Sequence, residues 1–268
     1  MSDALFLKDG RYHIPTDQSR GPWSPDHLHG GPVVGLMAHA AEQASGQPDL
    51  RLARLTVDLL RPVPKQPLEV DARVVRPGKR LQVLEVRLLA GDKEVTRASA
   101  LFLEKSTVDV PPHGRFVETG LRPPEAHSAP DLATAAGWSK RYSPHGFHTT
   151  AQAIVLEGVQ GQGRGRVWMR LPLPVVQGEE TSASVMAATL CDFGNGVGQL
   201  NLGPSLGSIN ADVSLYLHRA PVGEWLGMEA GSHMQDNGMG LVETTLFDAE
   251  GPVGKVLQAT IAMRTGGK

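Results

Sequence analysis

The strongest constraint in this chain is an internal duplication. The stretches LTVDLLRPVP (55–64), LEVDARVVRPG (68–78), RLQVLEVRLLAGDKE (80–94) and VTRASALFLE (95–104) have counterparts later in the chain. These are ADVSLYLHRAP (211–221), EWLGMEAGSHMQDNG (224–238), GLVETTLFDAEGP (240–252) and VGKVLQATIAMR (253–264). Arg61 maps onto Arg219 at an offset of 158, and Gly91 onto Gly251 at an offset of 160. Each series alternates apolar and polar residues at period two and is broken by Gly, Pro or Asp, the signal of antiparallel strands joined by turns. Both series read as four-stranded meanders.

A helix precedes each series. The first is HGGPVVGLMAHAAEQAS, residues 29–45, rich in alanine and opened by two glycines; the second is SASVMAATLCDFGN, residues 182–195. Small apolar residues on nearly every face predict a helix covered on most sides. A helix followed by strands, twice, is an α+β unit in which a sheet wraps a helix. Residues 106–148 hold six of the 20 prolines with little periodicity and read as a linker between an N-terminal domain, 1–105, and a C-terminal domain, 149–268.

Composition narrows the function. The net charge of −2 is spread along the chain without a basic block, which argues against a nucleic-acid partner. The single cysteine, Cys191, excludes an internal disulfide and a cysteine-rich zinc site and fits a reducing compartment. The N-terminus lacks the pattern of a signal peptide, and no apolar run approaches the roughly 18 residues of a spanning helix. A cytoplasmic protein without a membrane partner is the expectation.

The segments HGGPVVGLMAHAAE and LTVDLLRPVP, with LHRAPVGEWLGMEA and GLVETTLFDAEGPVGKVLQATIAMR, resemble the double-hotdog acyl-CoA thioesterases of the medium-chain thioesterase II type. The resemblance covers nearly the whole chain outside the linker. It implies a tandem hotdog, an acyl-CoA substrate and hydrolysis without a metal or other cofactor. It also implies three catalytic positions in the second half: an Asp on the helix, a hydroxyl residue on the next strand and a Gln on the last strand. Those positions carry Asp192, Asn210 and Gln258; Asn210 departs from the pattern but can still hold a water by donating and accepting hydrogen bonds.

Thioester hydrolysis needs a water, a base for its proton and donors for the developing oxyanion. Asp192 would be the base, with Asn210 and Gln258 fixing the water, and partial burial is expected to raise the pKa of Asp192. In the plainer reading Asp192 caps a break before GNG and Gln258 is an ordinary strand residue. In single-hotdog thioesterases of the phenylacetate-pathway type, a His-Gly-Gly opens the helix and an acid follows nine residues after the His. Here His29, Gly30 and Gly31 are present but Ala38 stands at the acid's place. His29, Gly30 and Gly31 are therefore candidate oxyanion and substrate-binding residues, complementing Asp192 in one composite site. The alternative is that the glycines only let the helix approach the sheet closely.

Other motifs carry less. GPSLG (203–207) matches a nucleophile elbow in letters but leads into a strand, which argues against Ser205. GQGRGRV (161–167) reads as a turn entering a strand, Cys191 as core, and His145 and His148 as linker residues without metal-ligand spacing. Arg61 and Arg219 end matching strands, where a CoA phosphate contact and a solvated strand end are both open. A non-catalytic acyl-CoA binder and a hotdog enoyl-CoA hydratase or dehydratase are the alternatives. The latter wants a His five residues after the Asp, where Val197 stands, or a catalytic His with an acid. Exposed sheet edges and the resemblance both favour a homodimer or larger homo-oligomer.

Overall fold

A computed structural model describes residues 3–116, 121–138, 145–159 and 161–264. The first half contains β1 (Phe6–Asp9), β2 (Tyr12–Pro15), α1 (Gly30–Ser45), β3 (Leu50–Asp58), β4 (Leu68–Arg76), β5 (Leu81–Ala90) and β6 (Lys93–Glu104). A short α2 (Leu132–Ala135) lies in the proline-rich connection. The second half contains β7 (Gln152–Gly158), β8 (Arg164–Arg170), α3 (Ala183–Leu190), α4 (Gly194–Val197), β9 (Leu206–Asn210) and β10 (Asp212–Leu217). It closes with β11 (Leu226–Met234), β12 (Met239–Asp248) and β13 (Gly251–Arg264).

All these strands belong to one sheet, in the order β1-β2-β4-β5-β6-β3-β10-β13-β12-β11-β8-β7, with β9 added against β13. The two halves meet at the antiparallel β3–β10 seam, where Ser214 faces Thr56. These residues share the offset of 158 that relates Arg61 to Arg219, so a pseudo-twofold axis passes between them. The order corrects the simple meander: β3 and β10 do not pair with the strands that follow them but close onto β6 and β13. In each half a helix precedes this strand in the chain and the sheet wraps around it, an α+β unit, and the pair of units is a tandem hotdog.

The local pattern explains the elements. β5 alternates half-buried and buried residues along its length, with Gln82, Leu84, Val86, Leu88 and Ala90 inward. α1 begins after His29 at the N-cap and ends at Gly46, whose φ of 58° is the left-handed C-cap that glycine adopts without penalty. The second helix is less regular than its sequence suggests: α3 passes into a 3-10 turn at Cys191–Phe193 before α4. That break places Asp192 at a bend. No helix among the described residues is long and apolar enough to cross a membrane.

The two helices pack against each other through bare backbone. A Cβ on Gly31 would lie 2.5 Å from the Thr189 carbonyl oxygen, and one on Gly35 would overlap the Thr189 side chain. The glycines thus serve a helix–helix contact and not an approach to the sheet. Gly35→Ala is expected to force this contact apart and cost about 2–3 kcal/mol, within the usual range for overpacking. Chemical denaturation would read this as a lowered midpoint, and an unchanged midpoint would mean that the helices can separate freely.

Candidate active site

Asp192 is 6% exposed and is approached by side chains from both halves. His29 Nδ1 lies 3.0 Å from Asp192 Oδ2, and Asn210 Nδ2 donates to Oδ1 at 2.7 Å. Gln258 Nε2 donates more weakly to Asp192 Oδ1 and to its backbone carbonyl, at 3.5 and 3.4 Å. A Cβ on Gly30 would come within 2.7 Å of Asp192 Oδ2, so only glycine admits the carboxylate at the start of α1. His29, Gly30 and Gly31 from the first half thus meet Asp192, Asn210 and Gln258 from the second. Ser205 lies in the exposed loop before β9, and Cys191 is buried with its thiol pushed well up by desolvation.

The tautomer of His29 follows from its neighbours. Gly31 N also lies 3.0 Å from His29 Nδ1. One ring nitrogen cannot accept from Gly31 and donate to Asp192 at once. An ionised Asp192 requires a donor, so Nδ1 carries the hydrogen and directs it to Oδ2. The Gly31 N–H then also serves the carboxylate. Gly30, whose amide is at the first position of the helix, lines the cavity, whereas Gly31 does not.

The charge balance differs from the expectation. Burial pushes the Asp192 carboxyl up, but the bonds from His29, Asn210 and Gly31 together outweigh it, and the pKa is lowered below the ordinary aspartate value. The positive end of α1 acts in the same direction. Asn210 Oδ1 and Gln258 Oε1, on the amides that donate to Asp192, are buried without a protein donor among the described residues; Asn210 lines the cavity and Gln258 is not among its lining residues.

The connection that reads as a linker supplies part of this site. Phe147 stacks on Phe193 with ring centroids 4.9 Å apart, and His29 contacts both rings at 5.3 and 4.7 Å. His148 is buried and lines the cavity. Neither residue stands out by spacing in the sequence; a Phe-His pair in a proline-rich stretch is the one available sign. The cavity has a volume of about 550 Å³, the size of small-molecule sites generally, and Asp192 lies in its wall with Leu28, Val33, Leu59, Phe193 and Ile209 as apolar lining.

A paired helix core, an apolar cavity and a buried carboxylate at the junction of the two halves of one wrapped sheet define a hotdog enzyme. Residues 19–103 match the acyl-CoA thioesterase N-terminal domain and residues 113–262 the acyl-CoA thioesterase C-terminal domain. The chain belongs to this acyl-CoA thioesterase family and is a thioester hydrolase. Among solved structures it is similar to a hot dog fold protein of Alicyclobacillus acidocaldarius, with TM-score 0.71, 17% identity, and 99% of this chain and 98% of that one covered. The tesB protein of Mycobacterium avium subspecies paratuberculosis gives TM-score 0.67 and 17% identity over 96% and 95% of the two chains. Acyl-CoA thioesterase II TesB2 of Mycobacterium marinum gives 0.64 and 17% over 89% and 90%. At these identities the likeness is one of fold. Comparison with curated protein sequences gives no match.

Carbon-detected NMR of the side-chain carboxyls is expected to show Asp192 titrating below the ordinary aspartate range. In Asn210→Ala, which loses a donor to the charged form, the midpoint is expected to move up. Superimposable titrations in wild type and variant would show that Asn210 does not hold the charge.

Proposed function

We propose that the chain hydrolyses a fatty or related acyl-CoA to the free acid and CoA, with water activated by Asp192. The observation that carries this reading is the convergence on Asp192 of donors from both halves, two of them amides whose oxygens have no donor among the described residues. A water between Asp192, Asn210 Oδ1 and Gln258 Oε1 would donate one hydrogen to an amide oxygen and the other to the carboxylate. Its oxygen attacks the thioester carbonyl carbon as Asp192 takes the proton, and the carbonyl π electrons move to oxygen. The Gly30 N–H, at the positive end of α1, faces that developing charge. Collapse of the intermediate breaks the C–S bond, and the departing thiolate recovers the proton from Asp192.

His29 acts here as a positioning residue. Its Nδ1–H keeps the carboxylate ionised and turned into the cavity, while Phe147 and Phe193 hold the ring. The low pKa of Asp192 makes the carboxylate available throughout the neutral range, and the proton gained in the transition state is passed on at once. The same His29–Asp192 pair favours a second reading, hydration of a 2-enoyl-CoA, because that chemistry uses a catalytic His with an acid.

Release of free CoA thiol across a panel of acyl chain lengths separates these readings. Asp192→Asn is expected to lower kcat by about 10²–10⁴-fold, the usual range for loss of a general base. Equal turnover in both proteins would move the base elsewhere. Hydration of 2-enoyl-CoA without thiol release from any saturated acyl-CoA would favour the second reading over the first.

A further inference from the structure

The duplication places an arginine at the same position in both halves, and the structure treats the two copies differently. Arg219, after β10, is locked by the fully buried Asp248 through Nη1 to Oδ2 at 2.5 Å and Nη2 to Oδ1 at 2.6 Å. It also donates to the Gly251 carbonyl. Asp248 pairs with Gly251 to close the β12–β13 hairpin. The residue at the corresponding hairpin position of the first half, closing β5–β6 opposite Lys93, is Ala90. Strand register sets the offset here at 158, matching Lys93 with Gly251 in place of the Gly91 that the sequence pattern suggests, so the arginine remains and its acid is gone.

Arg61 is exposed, and no carboxylate among the described residues pairs with it. Its backbone is fixed, with the amide donating to the Val95 carbonyl at 3.1 Å. The residue lines the cavity that contains the site. Among the described lining residues Arg61 is the one lysine or arginine and Asp192 the one carboxylate. The acid is buried and the arginine exposed, so the cavity runs from a wet cationic rim to a dry interior. Trp23, 55% exposed, lines the same cavity. An apolar acyl group fits the interior; the rim fits the opposite end of the same molecule, which carries phosphates and a flat base.

We infer that Arg61 is the phosphate-binding residue for the nucleotide end of the acyl-CoA, freed for this role by the Asp-to-Ala difference between the two halves. The inference rests on the thioesterase reading and names the part of the substrate that this side chain recognises. A guanidinium suits the task because it presents paired donors to phosphate oxygens and stays charged at every relevant pH.

The test compares two thioesters of the same acyl group, the CoA ester and the N-acetylcysteamine ester, which lacks the nucleotide. For Arg61→Ala, the ratio of kcat/KM on the CoA ester to that on the short ester is expected to fall roughly tenfold, with the loss in KM. Arg61→Lys should recover part of it. Adenosine 3′,5′-bisphosphate should compete with acyl-CoA in the wild type and less well in Arg61→Ala. An unchanged ratio, or equal losses on both esters, would overturn the inference while leaving the thioesterase reading intact. A wild type that turns over neither ester would remove that reading and the inference with it.

Discussion

The contact between α1 and α3 is the constraint on which the rest of the molecule depends. Two helices approach until backbone meets backbone because Gly31 and Gly35 present no side chains toward Thr189. The same approach brings the start of α1 against the bend after α3, where Gly30 leaves room for the Asp192 carboxylate. Chain folding and the site therefore share one set of glycines. A wider helix spacing would separate His29 from Asp192 and leave a buried charge with fewer donors, a costly arrangement in a low-dielectric interior.

Duplication creates two equivalent places along this helix pair, and they have diverged. Asp192 lies ten residues after Ser182, the N-cap of α3, and His39 lies ten residues after His29, the N-cap of α1. His39 Nε2 contacts Glu179 Oε2 at 2.6 Å, so a histidine–carboxylate pair occupies the second place with its partners exchanged. There the N-terminal segment packs closely: Leu5 and Phe6 are fully buried, and the Phe6 amide bonds to the Val175 carbonyl. The first place instead opens into the cavity. The Arg219–Asp248 pair and the exposed Arg61 show the same divergence at the strand ends, one copy fixing a hairpin and the other lining the cavity.

The electrostatics of Asp192 follow from that asymmetry. Desolvation alone would raise its pKa, but donors from a histidine, an amide side chain and a helix start bring it below the ordinary aspartate value. Those donors come from residues 29, 31 and 210, far apart in sequence, so the charge is held only when both halves are folded together.

The sequence by itself determined the two helices and the eight strands of the duplicated series, because period-two alternation and small-residue helices are local consequences of which face is buried; it did not show β1, β2, β7, β9 or the bend after α3. It also singled out Asp192 and the His-Gly-Gly turn, since a carboxylate in an apolar run and paired glycines at a helix start are visible in one dimension, whereas Asn210 and Gln258 entered only through the family resemblance. Tertiary structure decided the rest. The position of β3 beside β6, the pairing of His29 with Asp192 and the entry of Phe147 and His148 into the site join residues far apart in the chain. The direction of the Asp192 pKa shift depends on how many donors reach a buried group, and Arg61 differs from Arg219 only through what stands across a hairpin. Sequence patterns record which side chains avoid water; which of them then meet is fixed by the closing of the two helices at their glycines.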